Sequence, residues 1–145
     1  MNSILLDTNI LFYANNPLSP FQIHAQNALI KVFTHYSDIW LTRQIIREYV
    51  KVMSKEMLDG GKVDYTRLNN DVVNFEPQFN VGEDTHTITE RLMSLIRDTK
   101  TAGKQAHDAN IVVTILQYDV RCILTHNVSD FKRFEYLIEI VPMIA

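Results

Sequence analysis

Short apolar runs and longer amphipathic stretches take turns along this chain, and their order predicts most of its architecture. Ser3 to Leu6 is an apolar run cut off by the polar DTN, the pattern of a short strand buried on both faces of a parallel sheet. A short helix is expected from Asn9 to Tyr13, followed by a loop through Asn15, Asn16, Pro17 and Pro20, whose turn chemistry interrupts regular structure. Phe21 to Tyr36 reads as a helix with Ile23, Leu29, Ile30 and Phe33 on its apolar stripe. Asp38 to Leu41 predicts a second strand, and Thr42 a cap for a helix from Arg43 to Leu58, stopped by Gly60 and Gly61. Asp64 to Phe75 predicts another helix, broken by Pro77, and Phe79 to Val81 a short strand. A helix from Thr85 to Thr101 follows, with Thr87 and Glu90 at capping-box spacing near its start and Gly103 beyond its end. Ala106 to Tyr118 is the last long helix, Arg121 to Thr125 a strand that picks up Val120, and Ile138 to Val141 a final strand ending at Pro142. Strands separated by helices predict an α/β, three-layer domain with a central, mostly parallel sheet flanked by helices.

Composition narrows this picture only modestly. A chain of 145 residues can bury roughly two-thirds of its unfolded surface in one core, so a single domain over 1–145 is expected. The net charge of -3 argues against binding nucleic acid through global positive charge and leaves room for a local basic patch. One cysteine, Cys122, cannot form an internal disulfide, which suits the cytoplasm. No run resembles a secretory signal or a membrane span.

Candidate chemistry lies in four acidic positions. Asp7 follows the first strand at its carboxyl end, where ligands collect in open α/β sheets; capping the next helix is the simpler role for such a residue. In TRQIIREYVKVMSKEML, Ile45, Tyr49, Val52 and Met53 form the apolar face and Glu48 falls at its margin, either as a boundary residue paired with Lys51 or as a site acid. Arg43, Arg47, Lys51 and Lys55 form a basic row on the same helix, either a solvated face or a lead-in for phosphates. Asp108 projects into the stripe of Ile111, Val112, Ile115 and Leu116. A carboxylate facing a core needs a partner, which free backbone N–H groups of the first helical turn or a cation could supply. After the strand ending at Thr125, Asn127 and Asp130 stand where Asp7 stands after the first strand. His126 lacks a second His or Cys at metal-ligand spacing and reads as a loop residue. Gathered in one pocket, the four carboxylates would repel one another unless held by a cation, and hard oxygen donors select Mg2+ or Mn2+.

These residues carry a resemblance. LLDTNILFYA, the Glu of IIREYVKV, HDANIVVT and ILTHNVSDF, in that order, make the chain similar to PIN-domain ribonucleases, most of all to the VapC-type toxins of prokaryotic type II toxin–antitoxin pairs. The resemblance implies that Asp7, Glu48, Asp108 and Asp130 are the catalytic, metal-binding acids. It makes Thr8 and Thr125 supporting hydroxyls, and Asn127 a further polar member that could share the place of Asp130. It implies a Mg2+-dependent ribonuclease (Mn2+ possible) that inhibits translation, with an RNA substrate, a cognate antitoxin protein and a homodimeric state. Residues 60–82 carry no motif. Lys104 or Arg47 could stabilise charge on the phosphate. Phosphatases with an aspartate nucleophile after the first strand carry a second Asp two positions on, where this chain has Asn9. A catalytically inactive PIN-like module that binds RNA or protein remains the alternative.

Overall fold

A computed structural model describes residues 2–144. The elements in order are β1 (Ser3–Leu6), α1 (Thr8–Ala14), α2 (Gln22–His35), β2 (Asp38–Thr42), α3 (Arg43–Asp59), α4 (Tyr65–Val73) and α5 (Phe75–Gln78). Then come β3 (Asn80–Gly82), α6 (His86–Thr99), α7 (Gln105–Gln117), β4 (Cys122–Thr125), α8 (Val128–Phe131), a 3-10 turn at Lys132–Phe134 and β5 (Glu139–Pro142). The five strands form one sheet in the order β3-β2-β1-β4-β5, and every pairing is parallel. The expected α/β class with a parallel sheet flanked by helices is the one observed.

β1 lies at the centre because Ile4, Leu5 and Leu6 are fully buried, and only an inner strand covered on both faces hides side chains of both orientations. Its neighbour β4 is buried throughout. Leu6 pairs with Leu124, and the Asp7 backbone N–H donates to the Leu124 carbonyl at 3.0 Å. Asp7, directly after β1, and Thr125, the last residue of β4, are thereby fixed side by side.

Three expectations change. Most of the stripe assigned to the helix after Pro20 faces outward: Ile23, Ile30 and Phe33 are exposed and only Leu29 packs partly against the core, while Ala25, Ala28 and Val32 are buried. α2 packs on α1, and small side chains allow that close approach where isoleucine or phenylalanine would hold the helices apart. Pro77 does not break a helix; it sits inside the single turn of α5, where the missing N–H would have no helical acceptor. The cap of α6 is Thr85, whose Oγ1 accepts from the Ile88 N–H at 3.4 Å, and Thr87 and Glu90 fall inside the helix. Asp64 and Thr42 cap α4 and α3 in the same way, accepting from the N–H groups of Arg67 and Ile45. No described helix is long and apolar enough to cross a membrane.

Candidate metal centre

A cleft of about 990 Å3 opens at the carboxyl edge of the sheet, lined among others by Asp7, Glu48, Asp108, Asn127 and Asp130. All four sequence-predicted acids therefore meet at one place, although they come from α3, α7, α8 and the end of β1.

Asp7 is 7% exposed and is held by three donors. Its Oδ1 accepts from the Thr8 N–H at 2.8 Å, and its Oδ2 from Thr125 Oγ1 at 2.7 Å and Asn9 Nδ2 at 3.3 Å. Burial pushes its pKa up to about 6, the Thr125 and Thr8 hydrogen bonds oppose the rise, and the charges of Glu48 and Asp130 add to it. Glu48 is half-buried and equally fixed: Oε2 accepts from Thr8 Oγ1 at 3.0 Å and Oε1 from Gln44 Nε2 at 3.0 Å. It makes no ion pair with Lys51 among the described residues.

Asp108 differs. It lies half-buried in the first turn of α7, and among the described residues nothing donates a hydrogen bond to it, backbone N–H groups included. Burial raises its pKa to about 7, with the charges of Asp130, Asp7 and Glu48 acting the same way and Arg133 against them. Asp130 is half-buried in α8. Asn127 is exposed, and its N–H donates to Thr125 Oγ1 at 3.0 Å. Thr125 thus ties the β4 end to Asp7 from a fully buried position.

Among the described residues no three His, Cys, Asp or Glu side chains converge tightly enough to enclose an ion by themselves. Mg2+ needs no such cage, because it is bound through one or two carboxylates and keeps several of its waters. The donor set fits a hard cation of that kind: oxygen ligands only, with two carboxyls whose pKa values rise chiefly through burial and further through the negative charge around them. Zn2+ would call for His or Cys. Cys122 is buried outside this cleft, with its Sγ 3.8 Å from Tyr36 Oη, and burial pushes the thiol up to about 11.

Sequence reasoning overlooked the residues that hold the acids from behind. Gln44, buried, donates to Glu48 and to the His107 carbonyl and accepts from Asn110 Nδ2 at 2.7 Å. Its position four residues before Glu48 on α3 was the available signal. Asn9, weighed only as a missing aspartate, donates to Asp7 and accepts from the His126 N–H at 3.2 Å. His126 packs its ring on Phe21 and Tyr13, with centroids 4.6 and 5.6 Å away. Lys104 does not line the cleft; Arg47 does, bound to Asp84 at 2.9 Å.

No protein-family model and no curated protein sequence matches the chain. Solved structures do. A chain of the FitAcB crystal structure from Neisseria gonorrhoeae matches over 97% of both chains at 19% identity, with a TM-score of 0.68. VapBC-1 from nontypeable Haemophilus influenzae matches over 97% of this chain and 98% of that one at 17% identity, with a TM-score of 0.69. VapC20 of Mycobacterium tuberculosis, described as a sarcin-ricin loop cleaving toxin, matches over 83% and 86% at 10% identity, with a TM-score of 0.60. At such identities the likeness is one of fold, a PIN-like α/β fold shared with these structures.

Proposed function

We propose that this protein is a divalent-metal-dependent ribonuclease that hydrolyses phosphodiester bonds in RNA as the toxin of a toxin–antitoxin pair. Asp108 carries the reading: a half-buried carboxylate without a hydrogen-bond donor, facing three other acids, needs a cation. The fold supports it, since VapC20 is described as cleaving the sarcin-ricin loop and VapBC-1 as a VapBC assembly. We take RNA as the substrate and an antitoxin protein as the partner, a reading that the descriptions of those neighbours support, and extend it to inhibition of translation, a cytoplasmic location and a homodimeric assembly.

Asp7, Glu48, Asp108 and Asp130 would hold Mg2+ or Mn2+. The chemistry such an ion supplies is acidification of water and neutralisation of charge on a phosphate. The chain's own part is orientation. Thr125, Asn9 and the Thr8 N–H fix both oxygens of Asp7, while Thr8 Oγ1 and Gln44 fix both oxygens of Glu48. These two carboxylates therefore need no rearrangement when they take up charge, which is the form of preorganisation that lowers barriers most. Asp108 and Asp130, which have no side-chain hydrogen-bond donors among the described residues, can adjust to the cation.

The test is cleavage of structured RNAs with and without Mg2+ or Mn2+, beside Asp7→Ala and Asp108→Ala. Metal-dependent cleavage lost in both variants is expected; cleavage that persists in both, or proceeds in EDTA, overturns the reading. A folded protein that binds RNA and cuts none of it with either metal would be a binding module. A reading frame for a small DNA-binding protein directly beside this gene would support the toxin role.

A further inference from the structure

The basic row on α3 separates into two kinds of residue. Arg43 is held by Glu83, with its Nε 2.8 Å from Oε1, and by Glu76. Arg47 is held by Asp84 at 2.9 Å, and Lys55 by Asp59 at 2.8 Å. Lys51 has no ion pair among the described residues, and it lines the acid-containing cleft whereas Arg43 and Lys55 do not. It follows Glu48 by three residues on the same face of the helix, about 4.5 Å further along the axis. The same cleft has Phe12, Val52, Ile88 and Leu92 in its wall.

We propose that Lys51 is the substrate-phosphate ligand of this cleft, holding the backbone phosphate next to the one at the acids while the apolar wall receives the adjoining nucleotide. The inference rests on the ribonuclease reading and adds to it the residue that places the strand. An ammonium on a flexible stem suits this role, because it meets a phosphate as a point charge and reads no base. A lysine that only offsets the neighbouring acids through solvent would serve charge balance without touching RNA, and the two roles differ in their salt dependence.

The experiment measures binding of a short fluorescein-labelled single-stranded RNA in Mg2+ across a salt series, in an Asp108→Asn background that binds without cutting. One lost phosphate contact lowers the slope of log affinity against log salt by about 0.7 and weakens binding about fivefold near ~0.1 M salt. Lys51→Ala should show both changes, Lys51→Arg should restore the slope, and Lys55→Ala should leave it unchanged. Thermal unfolding of the Lys51 variants should match the parent, since the residue is exposed. An unchanged slope in Lys51→Ala, with RNA still bound, overturns this inference alone. If Asp108→Asn still cuts RNA, the role given to the acids fails, and if it binds no RNA both proposals fall.

Discussion

Asp7→Asn isolates the electrostatic tension of the centre. The folded-state pKa of about 6 lies above the ordinary 3.8, so the folded protein keeps this proton to higher pH than the unfolded chain does. Stability linked to the group is complete below pH 3.8 and is lost as the pH rises through about 6. A rise of ~2 units corresponds to roughly 3 kcal/mol, and at 2–4 °C for each kcal/mol a chain of this size would lose roughly 6–12 °C of melting temperature. Asparagine keeps an acceptor for the Thr8 N–H, turns an amide toward Thr125 Oγ1, gives up the long hydrogen bond from Asn9 and carries no charge. In EDTA near pH ~8 the variant is therefore expected to melt above the parent, and the gap should close toward pH ~4. Asp108 remains in both proteins, and being half-exposed it adds a smaller fall, weakened by solvent screening. Mg2+ should reverse the order, since a cation that binds only the folded parent at about a thousand times its Kd adds ~4.1 kcal/mol, more than the tension it relieves. Thermal unfolding from pH ~4 to ~8, with EDTA and with Mg2+, reads all of this. A gap that does not grow with pH, or a variant that melts below the parent in EDTA at high pH, refutes the reasoning.

Thr125→Val keeps the shape of a fully buried residue and removes the hydroxyl that lowers the Asp7 pKa; the Asp7-linked loss of stability in EDTA should move above pH 6, at a cost of ~1–3 kcal/mol near neutrality by denaturant unfolding. Gln44→Ala leaves Asn110 and one oxygen of Glu48 without partners, which should cost ~1–3 kcal/mol and reduce RNA cleavage while Thr8 still holds the other oxygen. On α2, Ala28→Leu should destabilise by ~1–3 kcal/mol through overpacking, whereas Ile30→Gln should change stability by less than ~0.5 kcal/mol; equal effects in denaturant titrations would contradict the outward orientation of Ile30.

Features carried by local signals were legible in the sequence. An apolar run such as Ser3–Leu6 has one comfortable location, inside a sheet, and a polar residue directly after it must lie at the strand's end. The facing of α2 was not legible, because two stripes compete on that helix. Hydrophobic size favours Ile23, Ile30 and Phe33, while the geometry of close packing on α1 favours Ala25 and Ala28. Exposed apolar side chains are common enough that size alone decides nothing. The basic row was equally open, because the partners of Arg43 and Arg47 lie some forty residues away, at Glu76, Glu83 and Asp84. Only the folded positions of α5 and of the turn after β3 reveal that Arg43 and Arg47 are already occupied, while Lys51 has no ion pair among the described residues.

The register of β1 against β4 governs the whole centre. Pairing of Leu6 with Leu124 sets Asp7 beside Thr125, and a slip of one residue would turn Thr125 to the opposite face of the sheet. Asp7 would then lose its shortest hydrogen bond while keeping the burial that raises its pKa. Ionising it would become still harder, and the affinity for a cation would fall with it. A register this consequential needs strong enforcement, and the side chains of Ile4, Leu5, Leu6, Ile123 and Leu124, none more than 2% exposed, supply it: a slip would carry each one out of the face it packs against. A carboxylate whose burial raises its pKa to about 6 is thus anchored at the place where the backbone has the least freedom to relieve it, which leaves protonation or the proposed cation to lower its energy.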